Sequence, residues 1–167
     1  YLAQCDLFKL PFRQGTFDRV FSVGVLHHTP DTRKAFEAIV PYAKSSGDIS
    51  IWVYHPVNSG KKTADVYRHV TAHLPHSVLY GGCVLNQALL SWVRCLPGGD
   101  TFSVVIPGAN PRRDGKFWRR VLSDFDNLSP KYAYTHTEDE VIDWFEAQGL
   151  QDVRSLGYPT AVTGKPA

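Results

Sequence analysis

Two apolar, β-rich runs with a helical segment between them set the strongest limit on how this chain folds. The first, Phe17 to Val25, is largely apolar and alternates only weakly, as expected of a parallel strand covered on both faces. Thr29-Pro30-Asp31 then marks a helix start: Thr29 or Asp31 can cap, and Pro30 suits the first turn. Ala35, Phe36, Ile39 and Val40 follow at helical spacing, and Pro41 kinks or ends that helix. Ser45-Ser46-Gly47 turns the chain into the second run, Ile49 to Tyr54, rich in β-formers. Strand, helix and strand in that order point to an α/β architecture. Upstream, Tyr1 to Cys5 reads as the end of another strand, and Asp6 to Gly15 as a loop.

The strand–helix rhythm breaks between about His55 and Thr135. Asp65 to Leu74 reads as one helix and Val78 to Val93 as a longer, more apolar one containing Asn86 and Gln87. That apolar run is shorter than the roughly 20 residues a spanning helix needs, so a buried or lid helix is expected, with no membrane span. Pro97-Gly98-Gly99 and Pro107 to Pro111 are loops, and Phe117 to Phe125 is a short amphipathic helix. Thr137-Glu138-Asp139-Glu140 forms a capping box, in which the Thr137 hydroxyl takes an orphan amide and Glu140 reaches back. The helix it opens buries Val141, Trp144 and Phe145 and stops at Gly149. Val153 to Leu156 and Thr160 to Thr163 follow as two short strands. The expected organisation is a core of residues 1–56 and 136–167, with a helical insertion or lid over 57–135.

At 167 residues the chain is one domain, or one domain with an insertion. Hydrophobic residues at 43% and charged residues at 20% fit a soluble globular protein. A net charge of +2 is too small to imply a nucleic-acid or membrane partner. Cys5, Cys83 and Cys95 lie far apart and are odd in number, so a reducing cytoplasm is expected and a disulfide framework is not.

The order of Asp6, the Leu10-Pro11-Phe12 turn, the Phe17-Asp18 strand opening and Leu26-His27-His28-Thr29 closely resembles one known pattern. It is the middle of a class I S-adenosylmethionine-dependent methyltransferase of the type 11-like family, just after its glycine-rich cofactor loop. The resemblance covers residues 1–56 and 136–167, and the insertion only loosely. It implies the C-terminal part of a Rossmann-like methyltransferase sheet, with a helical insertion after the fifth strand in the family's count. It also implies S-adenosyl-L-methionine as cofactor and a small-molecule methyl acceptor. Asp6, with the backbone of Leu7 beside it, stands where the family's carboxylate accepts the adenine amine. Gly24 stands where the backbone approaches the methionine part. One departure is visible: the family usually enters its fifth strand through Pro-Gly-Gly, where this chain has Ser45-Ser46-Gly47. The glycine-rich loop is not in the chain, which has no methionine and begins at Tyr1. The expectation is therefore an N-terminally truncated fragment, inactive alone. Without the family's first strand, the Phe17–Val25 strand is expected to be an exposed apolar edge that invites self-association.

Side-chain chemistry nominates further residues. Imidazole is the side chain whose ordinary pKa lies near neutrality, so His27 or His28 could deprotonate a substrate hydroxyl, with His28 preferred because it reaches the loop before the helix. The bland alternative packs one and uses the other to cap the turn. Asp6 has its own bland alternative as a turn cap. Tyr54 and His55 end the second run, where the resemblance implies the substrate side of the cleft. Tyr132 and His136, just ahead of the capped helix, either touch substrate or form a packed hinge. His69, His73 and His76 have spacing that suits a metal but no acidic or cysteine companion, so a solvated helical face is expected and no metal. Arg112, Arg113, Lys116, Arg119 and Arg120, interleaved with Phe117 and Trp118, resemble a basic-aromatic nucleic-acid patch, though an amphipathic helix explains them better. Two other readings follow: a non-catalytic binding or assembly module of the same fold, and a nucleic-acid-binding protein using Arg112 to Arg120.

Overall fold

The computed structural model describes residues 2–56, 66–93, 95 and 116–167. They divide into two units, one of residues 1–57 with 132–167 and one of residues 58–131.

The first unit is an α/β structure built on strand β1 (Phe17–Val23), helix α1 (Thr32–Ile39) and strand β2 (Ala43–Trp52). Asp31 is the cap of α1, its carboxylate accepting the Lys34 N–H at 3.0 Å, and Pro30 stands ahead of the cap rather than in the first turn. Pro41 stops the helix, as expected, and the chain tightens into a 3-10 turn over Val40–Tyr42. The expected strand at Tyr1 to Cys5 is not formed over residues 2–5, which pair with no neighbour. Extended backbone without a ladder partner has nowhere to place its hydrogen bonds except water.

β2 starts at Ala43, so Ser45-Ser46-Gly47 lies inside the strand instead of turning into it. The pairing with β1 explains why. Phe17 stands opposite Ala43 and Arg19 opposite Asp48, so Asp18 alone faces Lys44 to Gly47 of β2. The bulge brings the Lys44 ammonium to 2.7 Å from the Asp18 carboxylate. It also closes tightly on Gly47, where an added Cβ would lie 2.8 Å from the Asp18 carbonyl oxygen and 3.0 Å from that of Lys44.

Helix α5 (Glu138–Ala147) and strands β3 (Gln151–Ser155) and β4 (Ala161–Lys165) complete this unit. The sheet order is β1-β2-β4-β3, with β1 parallel to β2 and the other pairings antiparallel. Such a mixed sheet is compatible with a Rossmann-like fold. Ile49, Ile51, Val53 and Val162 form the apolar side of the sheet under Phe36 of α1 and Val141, Trp144 and Phe145 of α5. The Phe36 and Phe145 rings stack with centroids 4.6 Å apart. α5 ends where Gly149 takes a φ of +71°, as the sequence predicts.

β1 departs from the expectation of cover on both faces. It is the edge strand, and Phe21 is 75% exposed, with Val23 and Val25 also open to solvent. The reason is that α1 and α5 pack together on one side of the sheet, leaving the alternate β1 side chains on the other.

The second unit contains a helix α2 over 66–71, α3 (His76–Val93) and α4 (Phe117–Leu128). Leu79 and Cys83 of α3 pack against Val121 of α4. Asn86 and Gln87 both donate to the buried Asp124 carboxylate, at 3.1 and 2.7 Å. The Arg120 guanidinium bonds the Gln87 side-chain oxygen and the Ser91 hydroxyl, each at 3.2 Å. Burial, and then the nearby Asp124, pushes the Cys83 thiol up to about 11. Pro97-Gly98-Gly99, Pro107 to Pro111, Arg112 and Arg113 lie outside the described residues. Among the described residues no helix is long and apolar enough to cross a membrane.

Candidate functional site

Because β1 and β2 run parallel, their carboxyl ends meet at the same end of the sheet, where open α/β sheets receive ligands. Leaving β1, the chain turns at Gly24, which takes a φ of +72° and donates its N–H to the Trp52 carbonyl at 3.0 Å. A Cβ there would stand 3.3 Å from the Trp52 indole. A 3-10 turn over Leu26–His28 follows, with Leu26 and His27 buried. Beyond β2 comes Tyr54. The His27 ring lies over the Tyr54 ring at 3.7 Å and beside that of His28 at 4.2 Å. His28 meets Tyr54 edge-on at 5.5 Å, and Trp52 meets it at 5.8 Å. Two residues from each strand's end thus form one aromatic cluster.

Residues 132–136 cross that cluster as a strap. The Tyr134 N–H donates to the His27 carbonyl at 3.1 Å, and the His136 N–H to the Tyr54 carbonyl at 2.8 Å. The His28 Nδ1 stands 2.7 Å from the Tyr132 carbonyl oxygen. A carbonyl only accepts, so Nδ1 carries the proton; in the neutral ring, Nε2 then holds the lone pair.

His136 has both ring nitrogens engaged. Nδ1 donates to Glu140 Oε1 at 2.9 Å, Nε2 is 2.9 Å from the hydroxyl of the buried Thr32, and the ring edge rests on Trp144. This is the packed-hinge geometry that the sequence offered as the alternative to substrate contact. It also alters the capping box: the Thr137 hydroxyl accepts the Glu140 N–H at 3.2 Å as expected, but the Glu140 carboxylate turns to His136.

The other nominated residues fall as follows. The exposed Asp6 carboxylate accepts the Phe8 N–H at 2.9 Å, so it does cap its turn. Leu7 is half-buried against the apolar core. His73 Nδ1 is 3.1 Å from the His69 carbonyl, and no cluster able to hold a metal occurs among the described residues. Arg120 belongs to the α3–α4 network and Phe117 packs there, leaving Lys116, Trp118 and Arg119 exposed.

Sequence reasoning missed Trp52, Thr32 and Tyr134 as parts of this region, and read Glu140 only as a cap. The spacing of His136 and Glu140, four apart on a helix start, carried the signal for that pair. Nothing local points to Thr32.

Residues 1–51 match the family described as "Methyltransferase domain". The matched segment takes in Asp6, Leu7, Gly24, His27 and His28 and ends within β2. No curated protein matches the chain.

Proposed function

From the premise that the matched segment belongs to the class I S-adenosylmethionine-dependent methyltransferase family, we propose that the protein transfers a methyl group to a small-molecule acceptor carrying a hydroxyl. In this reading the sheet is the C-terminal part of a Rossmann-like methyltransferase sheet, and residues 58–131 are a helical insertion in it. The residues that would hold S-adenosyl-L-methionine are Asp6, Leu7 and Gly24. They suit it: the Asp6 carboxylate is exposed and keeps acceptor capacity beyond its one turn bond, and Gly24 places no side chain on the strand end. An activated methyl group is the chemistry that cofactor would supply there. His28 takes the acceptor's proton at Nε2, while Tyr54, backed by the fully buried His27 ring, gives the acceptor an aromatic wall and holds it in line. Tyr132 and His136 build the strap over that wall. A cytoplasmic location accords with the three unpaired thiols.

The observation that carries this reading is the His28 ring, fixed by the Tyr132 carbonyl at the carboxyl ends of the two parallel strands. The test is calorimetric titration of S-adenosylmethionine and its demethylated product, with and without whatever residues the gene encodes ahead of Tyr1. Binding that weakens in Asp6→Ala, followed by methyl transfer that falls roughly 10²–10⁴-fold in His28→Gln, supports the proposal. No heat from either ligand in either form refutes it.

A second reading, an assembly module of the same fold, draws on the exposed β1 edge with Phe21, Val23 and Val25. It requires the chain to self-associate, with Phe21→Lys returning it to monomer by sedimentation velocity; a monomer at high concentration rules it out.

A further inference from the structure

We propose that His136 is a positioning residue that sets the protonation tautomer of His28, acting through the strap and without touching the acceptor. Two short segments are tied into a closed loop. At one end the Tyr132 carbonyl takes the His28 Nδ1 proton; at the other the His136 ring bonds the Thr32 hydroxyl, in the first turn of the helix that follows His28. The Tyr134 N–H on the His27 carbonyl is the rung between them.

The direction of each bond follows from the chemistry of the partners. The Glu140 carboxylate only accepts, so the His136 Nδ1 is a donor, and in the neutral ring Nε2 must accept from the Thr32 O–H. The ring is thereby oriented by two bonds at once, and Trp144 closes against its edge. The same logic one residue set away makes His28 an Nδ1–H imidazole with a bare Nε2. Orientation of a histidine by a partner behind it is the device that selects which nitrogen does chemistry. Here the partner is a main-chain carbonyl, so its position depends on what holds the strap, and the His136 ring, bonded at both nitrogens, is a side-chain anchor of that strap. The part His136 plays in transfer rests on the methyltransferase reading; the tautomer does not.

The test is long-range ¹H–¹⁵N spectroscopy of the 167-residue chain labelled on histidine, which reports the protonated and the bare nitrogen of each ring. In the parent chain the neutral His28 ring is expected with its proton on Nδ1. In His136→Phe, the ratio of Nδ1–H to Nε2–H at His28 is expected to fall by roughly five- to tenfold, the size of one hydrogen bond. Thr32→Val removes only the hydroxyl behind His136 and should move the ratio in the same direction by less. Should His136→Phe fail to fold, Thr32→Val and Glu140→Ala, which removes the acceptor behind Nδ1, carry the test. The proposal is overturned if the parent His28 carries its proton on Nε2, or if folded variants leave the ratio unchanged. Cofactor titration judges the methyltransferase reading separately.

Discussion

Replacing Gly47 with alanine tests whether the β1–β2 bulge is closed as tightly as its geometry states. The new Cβ would meet three main-chain oxygens, those of Asp18, Lys44 and Phe17, at 2.8, 3.0 and 3.2 Å. Main-chain atoms in a paired strand cannot swing aside as a side-chain tip can. Relief therefore requires the strands to part or the bulge to reopen. Overpacking of this kind costs roughly 1–3 kcal/mol, and the three-sided contact places Gly47 in the upper half of that range. Against it stands a gain of about 0.4–1 kcal/mol, because alanine leaves the unfolded chain fewer states than glycine does. The balance is a loss of about 2 kcal/mol.

The assay is urea denaturation followed at the ring resonances of Phe36 and Phe145, both fully buried in the unit that contains the bulge. Gly149→Ala is the comparison: nothing lies within 4 Å of its Cβ, but its φ is +71°. That substitution should cost only the conformational penalty of about 1–2 kcal/mol, less the same unfolded-state gain. A Gly47→Ala variant within about 0.5 kcal/mol of the parent, or more stable than Gly149→Ala, would refute the tight bulge. The loss should also be accompanied by faster amide exchange along β2, because the pairing that shifts is the one that seats Trp52 opposite Val23.

Two further predictions follow from buried and charged groups. Cys83 is buried, with its thiol pushed up to about 11, whereas Cys5 and Cys95 are exposed. A disulfide reagent at pH 8 should therefore titrate two thiols promptly and the third only in denaturant; three prompt thiols would contradict the α3–α4 packing. Asp31 has its carboxyl held below the usual range, chiefly by the Lys34 N–H it accepts at the start of α1, with the Lys34 ammonium adding to this. A lowered folded value means that its contribution is complete above the ordinary carboxylate value of about 3.9 and is lost as pH falls through the folded value. Asp31→Asn keeps the cap without the charge, so the stability gap between parent and variant should be constant from neutrality to mildly acidic pH and shrink only below it. A gap that changes around neutral pH would place its origin elsewhere.

The elements legible in the sequence are those whose signals are local. Asp31 followed by Ala35, Phe36 and Ile39 announces α1, and Thr137 ahead of Val141, Trp144 and Phe145 announces α5, because caps and apolar spacing act within one or two turns. Asn86 and Gln87 interrupt an apolar run for a reason that only Asp124, on another helix, discloses. Ser45-Ser46-Gly47 has the composition of a turn and becomes a bulge because β1 supplies the carbonyls that close around Gly47. The insertion of β4 between β2 and β3 is likewise a matter of which edge the last strand finds, and no residue of Ala161–Lys165 encodes that alone.

The candidate site shows the same division between local and distant causes. His27, His28, Tyr54, Tyr132 and His136 were legible as residues with suitable chemistry near strand and helix ends, and the structure brings them together. Their hydrogen-bond partners were not legible, since these lie about a hundred residues away in sequence: Tyr132 on His28, and Thr32 on His136. Main-chain atoms of Tyr132, Tyr134 and His136 and the His136 ring all tie the strap down. On the proposed reading, side-chain identity at 132 and 134 bears on what the cluster recognises, while identity at 136 bears on how His28 is presented. If the proposed methyl transfer holds, a substitution that spares the backbone bonds and changes a tyrosine ring should alter selectivity among acceptors, and one at His136 should alter proton transfer for all of them alike.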